Sequence, residues 1–219
     1  MLNMWYIKIL IITTVQDNIM VMVTYEAPNF IAPAILGNGK LIQNFNMKEY
    51  KKNKYAIIFF WPMDFTFVCP SELIAFNKRY KNFKKRNVKL IGISIDSIFV
   101  HQQWKKTKIS DGGIGEIKYV MVSDIKREIQ KSYCIEDKKN GVALRASFLI
   151  DKNNIIRHQT VNDLPLGRNI DEILRIIDAL QIHEKDGNVC PAQWKKNKQT
   201  IKPTLEGITE YLSNNFDDL

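Results

Sequence analysis

The chemistry available to this chain centres on three cysteines in 219 residues: Cys69, Cys134 and Cys190. So sparse and odd a set is no disulfide framework, and a chain this long buries a core without staples. Each thiol is therefore either an inert core group or a reactive one. Cys69 lies in Pro62-Met-Asp-Phe-Thr66-Phe-Val-Cys69-Pro70-Ser71-Glu72. Pro70 suits the first position of a helix, where its missing N–H costs nothing. Cys69 is then expected at the N-cap, facing unpaired N–H groups and the positive end of the helix dipole. Both favour the thiolate, the reactive form. Thr66 brings a hydroxyl into the same loop. On position alone, a reactive thiolate and a buried inert thiol both remain open, because cysteine is among the most buried residue types.

Glu72 stands where a Cys-x-x-Cys pair would carry its second thiol, so a dithiol mechanism must recruit a distant partner. Cys190 is the natural candidate. It sits in a polar tail, flanked by the same Val-Cys-Pro triplet as Cys69, and packing explains it poorly. Cys134, between Tyr133 and Ile135, reads as a packing residue at a helix end. No cysteine has another Cys or a His within four positions, which argues against zinc or an iron–sulfur cluster. Neither a metal nor a cofactor is expected. His101, His158 and His183 fall on a helix, a strand and a helix end, in packing or solvent-facing roles. With none of them near Cys69 in sequence, a Cys–His dyad has no support.

The elements that must position these groups alternate. Tyr55–Trp61 and Val88–Ile95 are continuous apolar runs, as in strands buried on both faces. Between them, Leu73, Phe76, Tyr80 and Phe83 recur at helical spacing, predicting one helix from Pro70 to Arg86. Asp96 or Ser97 caps a helix to about Lys106, and Asp124 caps another to about Tyr133. Gly112–Gly115 is a flexible loop and Lys118–Val122 a short strand. Val142–Ile150 and Ile155–Val161 form a hairpin across Asp151–Asn154. Asn169 or Arg168 opens a helix with Ile170, Ile173, Leu174, Ile177 and Leu180 on one stripe. Met47–Lys54 reads as a short polar helix, Asn29–Gly39 as a Pro/Gly-punctuated entry to the domain, and Leu205–Leu212 as a terminal helix. The expected fold is α/β, a central mixed sheet with helices on both faces and a C-terminal arm. Residues 1–22 read as an extension outside the fold, with an ordered segment or a targeting signal as alternatives. Residues 23–185 are the domain, and 186–219 the arm.

At these residues the chain resembles the typical two-cysteine peroxiredoxins, with the bacterial alkyl hydroperoxide reductase C proteins as the nearest group. Pro62, Thr66 and Cys69 match the family pattern Pro-x-x-x-Thr-x-x-Cys. Gly187–Trp194 resembles the resolving-cysteine segment, Ala143–Asp151 the strand carrying the active-site arginine, and Asn162–Arg168 a further motif. The resemblance runs from about Tyr25 to the C-terminus. It implies a thioredoxin-like fold and a thiol-specific peroxidase for hydrogen peroxide and organic hydroperoxides. Cys69 would attack the peroxide and become a sulfenic acid. Thr66 would orient the peroxide, Arg145 would hold the thiolate and the developing charge, and Pro62 would shield the pocket. Glu72 and Arg168 would fix Arg145, and an inward arginine on a buried strand needs such a partner.

Cys190 of the partner subunit would then condense with the sulfenic acid, after local unwinding of Asp64–Glu72 and of the tail. Thioredoxin or a dedicated flavoprotein disulfide reductase would recycle the disulfide. A homodimer assembling into a ring of dimers is implied, in the cytoplasm. Gly112–Gly115 matches the family's Gly-Gly-Leu-Gly loop, which slows unwinding, whereas Tyr211-Leu212 matches only half of its terminal Tyr-Phe motif. Nothing is carried over to Cys134.

Composition weighs against other classes. The chain is 45% hydrophobic and 25% charged, which excludes general disorder. The apolar run Ile9–Val15 is too short to span a bilayer. A formal charge of +9 permits nucleic-acid or anionic-surface binding, with lysines and arginines along Pro70–Arg86 and at Lys195, Lys196 and Lys198. The basic helix lacks interleaved exposed aromatics, so these charges read as a solvated face. A holdase chaperone, a second role in the family, is the other alternative. Neither nucleic acid nor a membrane is expected as a partner.

Overall fold

The computed structural model describes residues 21–218. The expected extension, 1–22, lies outside this range but for its last two residues. In chain order the elements are β1 (Ile31–Ile35), β2 (Leu41–Asn46), α1 (Met47–Lys51), β3 (Tyr55–Phe60), α2 (Cys69–Lys78), α3 (Tyr80–Lys85), β4 (Val88–Ser94) and α4 (Ile98–Lys106). They continue with β5 (Val120–Ser123), α5 (Glu128–Ser132), β6 (Glu136–Asp137), β7 (Val142–Ala143), β8 (Arg145–Ile150), β9 (Ile156–Asn162), α6 (Ile170–Asp186) and α7 (Leu205–Asn215).

Seven strands form one mixed sheet in the order β2-β1-β5-β4-β3-β8-β9. The central β3, β4 and β5 are parallel and the flanking pairs antiparallel. Alternation along β3 explains its unbroken apolar run. Ala56, Ile58 and Phe60 point into one core layer with Met47 of α1 and Ile129 of α5. Tyr55, Ile57 and Phe59 point into the other, with Leu73, Phe76 and Phe83 of α2 and α3, Trp104 of α4, and Ile173 and Ile177 of α6. A central strand covered on both sides must be apolar at every position. Helices on both faces of a mixed sheet are the thioredoxin-like arrangement expected above.

Three elements differ from expectation. Asn29–Gly39, an entry in which no strand is expected, carries β1, which pairs with both β2 and β5. Pro33 sits where the register with β2 shifts between Ala32 and Ala34. A bulge there spares the sheet the N–H that proline lacks. The single helix expected over Pro70–Arg86 breaks at Arg79, whose side chain forks onto Asp171 at the start of α6 at 2.6 and 2.5 Å. The strand expected from Val142 is interrupted at Leu144, and Val142–Ala143 pairs instead with β6.

Gly92 on β4 lies against the rings of the second layer. A Cβ there would stand 2.8 Å from the Trp61 ring and 2.9 Å from that of Phe59. Gly92→Ala is expected to destabilise the domain by about 1–3 kcal/mol, as overpacking does. A lower urea midpoint at unchanged m-value would show it.

Candidate active site

β3 delivers the chain to one end of the sheet, where it turns at the buried Pro62 into the loop that leads to Cys69. The N-cap of α2 is Val68, one residue earlier than expected, so Cys69 is the first helical residue and Pro70 follows inside the first turn. Cys69 is fully buried. Thr66 Oγ1 is 2.8 Å from its sulfur and 2.9 Å from the Met63 carbonyl. A hydroxyl has one proton to give, so Thr66 serves one of these acceptors at a time. A charged sulfur draws that proton to itself. A protonated thiol instead donates to the oxygen.

Arg145 enters from the first position of β8, with Nη1 3.3 Å from the sulfur. The same Nη1 is 2.9 Å from Glu72 Oε2, and Arg145 Nε donates to the Leu164 carbonyl. Glu72 stands one helical turn after Cys69, three residues on, and is only 3% exposed. Its second cation is Arg168, from the loop between β9 and α6. Arg168 donates its backbone N–H, Nε and Nη2 to the carboxylate at 2.9, 2.8 and 2.9 Å. Its Nη1 goes to Ala146 O and Ser147 Oγ, and its guanidinium lies over the Phe59 and Phe76 rings. Burial pushes the Glu72 carboxyl up, but Arg168, with Arg145 behind it, outweighs this and holds it below its ordinary value. One carboxylate thus anchors two arginines, and only Arg145 reaches the sulfur.

The AhpC/TSA family pattern matches residues 23–159, and that of the C-terminal domain of 1-Cys peroxiredoxin matches residues 179–214. The chain belongs to the AhpC/TSA family. It is 61% identical to the alkyl hydroperoxide reductase C of Buchnera aphidicola subsp. Schizaphis graminum, over 90% of this chain and all of that one. It is 49% identical to that of Helicobacter pylori strain 26695, over 89% and 98%. Among solved structures it is similar to the reduced 2-Cys peroxiredoxin of Plasmodium vivax, with TM-score 0.84 and 48% identity, covering 88% of this chain and 99% of that one.

In this AhpC/TSA chain the second cysteine of interest meets none of the partners that face the first. Cys190 is half-buried on the arm, its sulfur 3.8 Å from the Ala179 carbonyl of α6. Burial pushes its thiol up, against an opposing pull from Arg175. All three cysteines are free. Cys134 is not a packing residue. It is exposed, and it adopts the left-handed conformation, φ 53°, just past α5. The backbone there must turn sharply, and the thiol is carried outward with it.

Sequence reasoning missed what anchors the Cys69 loop. Asp64 accepts from Trp61 Nε1 at 2.9 Å and lies 2.7 Å from His101 Nδ1, and its own N–H donates to Asp96. His101 is fully buried, with Nε2 3.2 Å from the Val122 carbonyl. The packing role expected for it therefore carries a polar connection. Its sequence signal is weak, since Asp64 and His101 are 37 residues apart. Among the described residues no three His, Cys, Asp or Glu side chains converge as metal ligands. Nor is any helix there long and apolar enough to cross a membrane.

Proposed function

We propose that the chain is a thiol peroxidase of hydrogen peroxide and organic hydroperoxides, with Cys69 as the attacking group. The observation that carries this reading is a buried sulfur faced at once by the Thr66 hydroxyl and the Arg145 guanidinium. The sulfur attacks one peroxide oxygen in line, the O–O bond breaks, and the other oxygen leaves and is protonated to water or an alcohol. Cys69 becomes a sulfenic acid. Arg145 offers a permanent charge where negative charge spreads from sulfur to oxygen, and its anchoring by Glu72 means it need not reorganise. Thr66 orients the peroxide, and Pro62 shields the turn beside it. The names of the relatives support this chemistry for the present chain.

Cys190 of the partner subunit resolves the sulfenic acid, and a dithiol protein, thioredoxin or a flavoprotein reductase, restores both thiols. A homodimer is thereby required, and a ring of dimers is its further assembly. A cytoplasmic location suits an enzyme whose cysteines must return to the free state. The test is a non-reducing gel before and after hydrogen peroxide. Peroxide should convert monomer to a disulfide-linked dimer in the native chain and in Cys134→Ser, and in neither Cys69→Ser nor Cys190→Ser. A peroxide-dependent dimer persisting in Cys69→Ser would overturn the assignment.

A further inference from the structure

The arm around Cys190 is stitched to α6 at regular intervals. His183 Nδ1 lies 3.0 Å from Asn188 O, the Cys190 thiol faces Ala179 O, and Arg175 Nη1 donates to Trp194 O at 3.0 Å. The helix positions step back by four, 183 to 179 to 175, as the arm advances from 188 to 194. Residues four apart share one helix face, so the arm runs antiparallel along that face with one contact per turn. Beside it, Lys196 Nζ reaches Asp178 at 3.1 Å.

The Arg175 contact differs in kind from the other two. Its Nε and Nη2 fork onto the Glu172 carboxylate at 2.7 and 2.8 Å. That fork fixes the guanidinium plane and leaves Nη1 aimed at the arm. The residue it grips is buried as well: Trp194 is 2% exposed, and its Nε1 donates to Lys198 O. A charged donor held in place before it binds loses little entropy when it does. Its acceptor is a main-chain carbonyl four residues beyond Cys190.

While these contacts last, the Cys190 sulfur is turned to the backbone of its own helix. A disulfide needs Cα atoms about 4.4–6.8 Å apart. The Cys69 sulfur is enclosed by Thr66 and Arg145, whereas the Cys190 sulfur faces the backbone of its own α6. The arm has to peel away first.

We propose that Arg175 is a positioning residue that latches the arm to α6 and sets how fast Cys190 is released to resolve oxidised Cys69. The inference rests on the peroxidase reading above. In the step it controls, the Cys190 thiolate attacks the sulfenic sulfur. An S–S bond forms, the S–O bond breaks, and the oxygen departs as water, taking up the proton that the Cys190 thiol gave up. A second peroxide competes for the same sulfenic sulfur and drives it to sulfinic acid. Slow release therefore favours over-oxidation, and fast release favours the disulfide.

The experiment follows the reduced full-length chain after a peroxide pulse, timing peroxide consumption, disulfide formation and sulfinic acid by intact mass. Arg175→Met keeps the aliphatic stem and removes the donor. It should leave the first step unchanged, speed disulfide formation roughly 3- to 10-fold, and raise by the same factor the peroxide needed for half over-oxidation. Glu172→Gln, which loosens the fork but keeps the charge, should move both readouts the same way by less. Arg175→Lys, which restores a cation without the fork, should fall between native and Met. Disulfide formation that is unchanged or slower in Arg175→Met, with the first step intact, overturns the latch. Should that variant not fold, an unchanged rate in Glu172→Gln does so. If the native chain itself fails to oxidise Cys69, the peroxidase reading has failed instead.

Discussion

Cys69→Ser reduces peroxide consumption to the uncatalysed rate. The reaction depends on a polarisable sulfur anion that donates an electron pair into the O–O bond, and a serine hydroxyl at neutral pH supplies no comparable nucleophile. The fold should be spared. The substituted oxygen still meets Thr66 Oγ1 and Arg145 Nη1, so the buried site keeps its hydrogen-bond partners. Stability within about 1 kcal/mol of native is expected, since Glu72 still holds both arginines and little volume is lost. The two readouts together are decisive. Loss of activity with a native urea midpoint assigns the chemistry to the sulfur, whereas retained turnover would remove Cys69 from the mechanism.

Glu72→Ala should damage both stability and rate. Glu72 is the shared anion of Arg145 and Arg168, and the three side chains are each at most 5% exposed. Removing one partner of a buried ion pair leaves uncompensated charge and costs about 3–5 kcal/mol. Here two guanidinium groups lose their counterion at once. Arg145 then loses the contact that aims Nη1 at Cys69, and peroxide consumption should fall with it. The pH dependence has a definite sign. The carboxyl is held below its ordinary value in the fold, so its contribution is complete above the unfolded value of about 4.3. It fades as pH falls through the lower folded value. The stability gap between the native chain and Glu72→Ala should therefore be widest near neutrality and narrow in acid, as urea titrations at several pH values would show. A gap independent of pH would mean that packing, not charge, is what Glu72 supplies.

What could be read from the sequence follows from how local the signal is. The Pro62–Glu72 segment carries its own turn, its helix start and its candidate side chains within eleven residues, so spacing marked it out and the family resemblance gave its residues their roles. β3 and β4 were equally plain, because a strand covered on both faces must be apolar throughout. β1 was missed because Pro33 normally marks irregular backbone, and only the register shift against β2 shows how a strand accommodates it. Cys134 was misread for a related reason. Its apolar neighbours suggested burial, but the backbone turns through positive φ there and carries the thiol outward.

The clusters were another matter. Arg145 and Arg168 lie 73 and 96 residues beyond Glu72 along the chain, and it is the adjacency of α2, β8 and the β9–α6 loop that brings each of them within 3 Å of its carboxylate. The Asp64–His101 contact and the Arg175 latch on the arm have the same origin: each joins elements whose separation along the chain hides their meeting in space.

The amino-acid sequence by itself determined the central strands β3 and β4, the Cys69 turn and the pair of Val-Cys-Pro thiols, because those depend on short-range periodicity and on residue chemistry. The family resemblance already named Arg145 for Cys69, and Glu72 and Arg168 for Arg145; only the tertiary structure decided the distances among them and that Cys190 rests against α6. Those are distances between distant segments, and the packing of the sheet and its helices sets them.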